Sequence, residues 1–196
     1  MRLHTRAAFL AGITLLVLSV AAAADAQVVT FSGISDAVAG RFFNAATSAP
    51  APAAANTLRI GFNSGFDSAL LKYRDFQAST ATYRYTTAMD SISFTVKAPS
   101  GFYIAKITYK QRGTGSVVRT GKAAGASNWI VAGRASNIGT FATNPTISRT
   151  VDLTSRRLTS VPVSITTSLF AYAAPGGGSA TVALTGAEVV IELLPL

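Results

Sequence analysis

Apolar residues fall on alternate positions along much of this chain. In residues 90–98, Ile92, Phe94, Val96 and Ala98 lie on one face, and Ser91, Ser93, Thr95 and Lys97 on the other. A period of two predicts a half-buried strand. Residues 57–62 repeat it, with Leu58, Ile60 and Phe62 inward, and residues 80–86 set Ala81, Tyr83 and Tyr85 against Thr80, Thr82, Arg84 and Thr86. Further strands are predicted over 28–32, 127–132, 146–153, 161–173 and 181–194. Residues 101–112 and 117–120 flank Gly113-Thr114-Gly115-Ser116, which reads as a hairpin turn because glycine permits positive φ.

The last strand changes phase. Val182 and Leu184 are even-numbered, whereas Val189, Ile191 and Leu193 are odd. One extra residue at Gly186-Ala187 restores the pattern, which predicts a β-bulge there or a strand crossing between sheets. Two weaker patterns predict short helices, over 34–46 with Ser35 as cap and over 64–76 around Ala69, Leu70, Leu71 and Tyr73. The prolines of Ala49-Pro50-Ala51-Pro52-Ala53 predict a loop, and Pro175-Gly176-Gly177-Gly178 a turn. Many short strands separated by turn residues predict an all-β fold. The expected architecture is an antiparallel β-sandwich, jelly-roll or immunoglobulin-like, with one or two short helices.

The first 26 residues stand apart. Arg2 and Arg6 precede an uncharged run over 7–24, with Leu15-Leu16-Val17-Leu18 at its centre, and Ala24-Asp25-Ala26 follows. Small residues flanking one variable position are what a signal peptidase accepts. The expectation is a cleavable secretory signal over 1–26, cut between Ala26 and Gln27, and a single domain over 27–196. The uncharged run is near the lower length of a membrane span, but its alanine-rich end favours removal, leaving no integral membrane anchor. The expected location is secreted or periplasmic. Export of a chain with 0 Cys favours a bacterial source.

Loss of the leader changes the chemistry. The one histidine, His4, goes with it, so a mature Ser-His-Asp or Cys-His centre has no imidazole. Zinc, copper and haem sites lean on His or Cys, so no metal or cofactor is expected. Asn63, Ser64 and Asp67 offer oxygens for calcium but read first as a turn. Glu188 and Glu192 share a strand face, yet four residues of strand hold them about 13 Å apart, too far for a glycosidase pair. The expectation is therefore a protein that is not an enzyme.

Charge points instead to binding. The chain holds 17 Lys+Arg and 8 Asp+Glu, net +9; removing Arg2, Arg6 and Asp25 leaves 15 basic and 7 acidic residues, net +8. Lys106, Lys110 and Arg112 share one face of the 101–112 strand, opposite Tyr103, Ile107 and Tyr109, and Arg119 and Lys122 follow on the return. Such a stripe suits an anionic polysaccharide or another acidic cell-surface component; nucleic acid is the less favoured partner. Strand cations also serve simply to deter sheet-to-sheet aggregation. Trp129 reads first as core, beside Ile130 and Val131, and second as a stacking platform for a sugar. The candidate binding residues are thus Lys106, Lys110, Arg112, Arg119 and Trp129. The leading expectation is an exported structural or ligand-binding sandwich. The alternative is a carbohydrate-active protein using Asp/Glu with basic and aromatic residues, and a small outer-membrane β-barrel comes third.

Overall fold

The computed structural model describes residues 28–37, 42–63, 69–74, 84–118, 121–141, 146–173 and 178–196; the expected leader lies outside them. The strands are β1 (Thr30–Asp36), β2 (Phe43–Ala51), β3 (Ala54–Phe62), β4 (Ala69–Arg74), β5 (Arg84–Lys97), β6 (Phe102–Val118), β7 (Gly121–Val131), β8 (Arg134–Phe141), β9 (Thr146–Asp152), β10 (Ser160–Ala173) and β11 (Ser179–Pro195). One sheet runs β1-β5-β10-β7-β8. The other runs β2-β3-β11-β6-β9, with β4 also paired to β11. The strand pairs are antiparallel. The fold is an all-β sandwich, not the closed barrel of the third expectation.

The alternating faces explain the layers. Ile92, Phe94 and Val96 of β5, Val163, Ile165 and Leu169 of β10, and Trp129 and Val131 of β7 are buried from the first sheet. They share one core with Leu58 of β3, Ile104, Ile107 and Tyr109 of β6, and Val182, Leu184, Val189 and Ile191 of β11. A small polar cluster crosses that core. Gln111 Oε1 accepts from the Tyr109 hydroxyl at 2.8 Å and from Ser127 Oγ, and Ser127 Oγ lies 2.8 Å from Thr167 Oγ1. Burial pushes the Tyr109 phenol well above its ordinary value.

Several expectations need correction. The described parts of 34–46 are the end of β1 and the start of β2, not a helix. The cause is Asp90, a buried residue on β5. Its Oδ2 accepts from the backbone N–H of Phe42 and of Phe43, each at 2.9 Å, and its Oδ1 accepts from Ser91 N–H at 2.8 Å. These bonds, with the burial of both phenylalanines, fix an extended chain where intrinsic preference was indifferent. Within 64–76, residues 69–74 form β4, paired one for one with Ser179–Leu184 of β11; the rest lies outside the described residues.

The hairpin expected at Gly113-Thr114-Gly115-Ser116 is absent. Strand β6 runs straight through it, because Thr181, Val182, Ala183 and Leu184 of β11 supply a continuous ladder opposite. Pro50 belongs to β2, an edge strand, where a missing N–H is tolerated; only Pro52 and Ala53 form the turn. The bulge in β11 falls where the phase change predicts it, with the register shifting between Leu184 and Gly186 opposite Gly113 and Arg112.

Candidate functional site

The outer face of the second sheet carries the charges that its inner face cannot. Register sets them in rows. Glu188 on β11 lies between Arg59 on β3 and Lys110 on β6, and Lys110 in turn faces Ser148 on β9. Arg112 pairs with Gly186 at the bulge. A second row, nearer the end of β11, sets Glu192 beside Lys106 and Lys106 beside Asp152.

The bulge makes the first of these rows concave. Thr185 is the extra residue, and Gly186 opposite Arg112 has no side chain to fill the surface. A groove of about 690 Å³ opens there, lined by Arg59, Lys110, Arg112, Thr185, Gly186 and Glu188 among others. That volume is typical of a small-ligand site. Lys110 Nζ lies 3.3 Å from Glu188 Oε1. Arg59 and Arg112 are exposed and have no carboxylate partner among the described residues. Among its described lining residues the groove therefore presents three cations against one carboxylate, two of them as planar guanidinium forks suited to bidentate contact with an oxyanion.

The candidate residues separate accordingly. Lys110 and Arg112 line the groove. Lys106 does not: its Nζ donates to both oxygens of Glu192, at 3.0 and 3.1 Å. That bond, the Glu192 charge and the more distant Asp152 charge raise the Lys106 pKa. The hydroxyl and N–H of Thr154, then Lys106, hold the Asp152 carboxyl below its ordinary value. This second row is satisfied within itself. Arg119 lies outside the described residues.

Trp129 is in the core, 1% exposed, so it is no sugar platform. Its Nε1 donates to Ser136 Oγ at 2.7 Å, and its ring lies 6.3 Å from that of Tyr109. Sequence reasoning missed Arg59. The signal was present, since Leu58 and Ile60 face inward and so turn Arg59 outward, but nothing in the sequence shows that β3 lies across β11 from β6.

Glu188 and Glu192 sit in different rows, each beside its own lysine. Of the calcium candidates, Ser64 and Asp67 lie outside the described residues. Among the described residues no cluster of three His, Cys, Asp or Glu side chains is placed to hold a metal. No protein-family model matches this chain, and no curated protein matches it.

Proposed function

We propose that the protein is an exported, non-enzymatic binding module whose groove beside the β11 bulge takes an acidic glycan. The observation that carries this reading is the convergence of Arg59, Lys110 and Arg112 around one concave site, with Glu188 the one carboxylate among the described lining residues. Two forks and an ammonium suit the carboxylate or sulfate groups of an acidic sugar. Glu188 and the Thr185 hydroxyl suit its neutral hydroxyls. Ligand and Glu188 compete for Lys110, so binding draws that lysine away from its 3.3 Å partner.

Hydrolysis is the weaker reading. It needs two carboxyls across one sugar, about 5–9.5 Å apart, whereas Glu188 is the one carboxylate among the described lining residues. The leader-like N-terminus supports a secreted or periplasmic setting, where such glycans are met.

Calorimetric titration of the purified protein with uronic-acid, sulfated and neutral oligosaccharides tests the proposal. Acidic ligands bind and neutral ones do not. Arg59→Ala and Arg112→Ala each weaken binding about tenfold or more, since a charged hydrogen bond is worth roughly 1.5–3 kcal/mol. Equal affinity for neutral and acidic sugars overturns it.

A further inference from the structure

We propose that one end of the sandwich is a docking surface for an anionic lipid bilayer: the end where Val28 enters and β11 finishes. Four exposed cations stand there: Lys97 at the end of β5, Arg134 at the start of β8, and Arg156 and Arg157 just beyond β9. They are scattered in sequence, and the fold stitches them together. Arg156 Nη1 donates to the Ala132 carbonyl at 3.2 Å, two residues before Arg134. The N–H of Ala98, next to Lys97, donates to the Thr159 carbonyl at 2.9 Å, two residues after Arg157. The Arg157 guanidinium lies 5.3 Å from the centroid of the Tyr103 ring, and Tyr103 pairs with Leu194.

These cations have few opponents. None of the four has a carboxylate partner among the described residues. Glu192 is taken up by Lys106, and Asp152 accepts from the Thr154 N–H at 2.8 Å.

Apolar side chains complete the surface and decide between partners. Val28, Ile130, Leu194 and Leu196 are exposed at or beside this end, whereas the other large exposed apolar residues described, Met89 and Val117, lie elsewhere. The Leu196 N–H donates to the Gly101 carbonyl at 2.9 Å, which holds the last residues against the β5–β6 connection. A soluble polyanion would engage the cations and leave the leucines in water. A bilayer uses both, because phosphate headgroups attract the cations while apolar side chains enter the interfacial region. The groove on the sheet face plays no part in this inference.

Co-sedimentation with vesicles tests it. Purified protein is mixed with phosphatidylcholine vesicles, or with vesicles in which about a third of the lipid is phosphatidylglycerol, enough to give an anionic surface. Wild type binds the anionic vesicles, less in high salt, and leaves the neutral ones. Each cation near such a surface contributes about fivefold in partitioning, so Arg134→Glu/Arg156→Glu/Arg157→Glu lowers binding by about a hundredfold or more. Leu194→Ser/Leu196→Ser weakens it and leaves the salt dependence in place. The groove variant Arg59→Ala/Arg112→Ala binds vesicles as wild type does.

An unchanged thermal transition shows that each variant is folded, and Lys97→Glu serves if the triple variant is not. The proposal is overturned if wild type ignores anionic vesicles or binds neutral ones equally. It is also overturned if charge reversal leaves binding intact, or if the groove variant alone abolishes it.

Discussion

Replacing Asp90 with alanine removes the acceptor of three backbone N–H groups, those of Phe42, Phe43 and Ser91, at 2.8–2.9 Å. Asp90 is 2% exposed. The freed donors at Phe42 and Phe43 therefore face a pocket that water enters poorly. A stranded buried donor costs about 1–3 kcal/mol. Ser91 is half-buried and recovers part of its loss from solvent, and alanine no longer carries the desolvation of a buried carboxylate. The net destabilisation is about 3 kcal/mol. For a domain of this size, that lowers Tm by about 6–12 °C.

Asparagine is the informative comparison. One oxygen remains for Phe42 and Phe43, now as a neutral acceptor of roughly half the strength, while the new NH2 meets the Ser91 N–H donor to donor. Asp90→Asn should therefore cost about 2 kcal/mol, less than alanine. Asp36 serves as control: its carboxylate accepts from Ala45 N–H at a long 3.4 Å, so Asp36→Asn should cost under about 1 kcal/mol. Guanidinium titrations and thermal melts followed by circular dichroism measure all three. An Asp90→Ala penalty below that of Asp36→Asn would refute the argument that this carboxylate fixes the start of β2.

Tyr109 should make the fold alkali-sensitive. Its phenol is raised in the folded state by burial, so its contribution is complete below the unfolded value near 10 and is lost as pH climbs from there toward the folded value. The slope is about 1.4 kcal/mol per pH unit, and Tyr109→Phe should flatten it in denaturation curves taken between about pH 10 and 11.5. Trp129→Ala removes the largest fully buried side chain and should cost about 3–5 kcal/mol. Ser136→Ala, which takes only the Nε1 acceptor, should cost about 1 kcal/mol; equal penalties in chemical unfolding would contradict the packing assignment. Lys106→Ala should leave glycan affinity within about twofold of wild type and the thermal transition nearly unmoved, because its ion pair is exposed and lies outside the groove.

How much was legible in the sequence depended on whether a feature was local. Alternation in 90–98 is local, and it correctly placed Ile92, Phe94 and Val96 in the core. The bulge at Gly186 was readable for the same reason, since a phase change needs no knowledge of neighbours. Partnered features were not readable. Gly113-Thr114-Gly115-Ser116 has the composition of a turn, and only the ladder from β11 keeps it extended. Residues 34–46 carry no decisive preference, and a carboxylate some 50 residues away on β5 settles them.

The site divides in the same way. Periodicity put Lys106, Lys110 and Arg112 on one face, but their electrostatic state depends on Glu188 and Glu192 across the sheet. That pairing splits the expected stripe into one closed row and one open groove. Trp129 was legible as core from its neighbours, and its second reading as a platform failed on burial.

Whether Arg59, Lys110 and Arg112 form one recognition site is decided by chemical-shift mapping. An acidic oligosaccharide is titrated into 15N-labelled protein while the amide spectrum is followed. Saturable shifts are expected at Arg59, Lys110, Arg112 and Gly186, with Lys106 and Glu192 nearly still. Shifts confined to other faces, or none at saturating ligand, would contradict it.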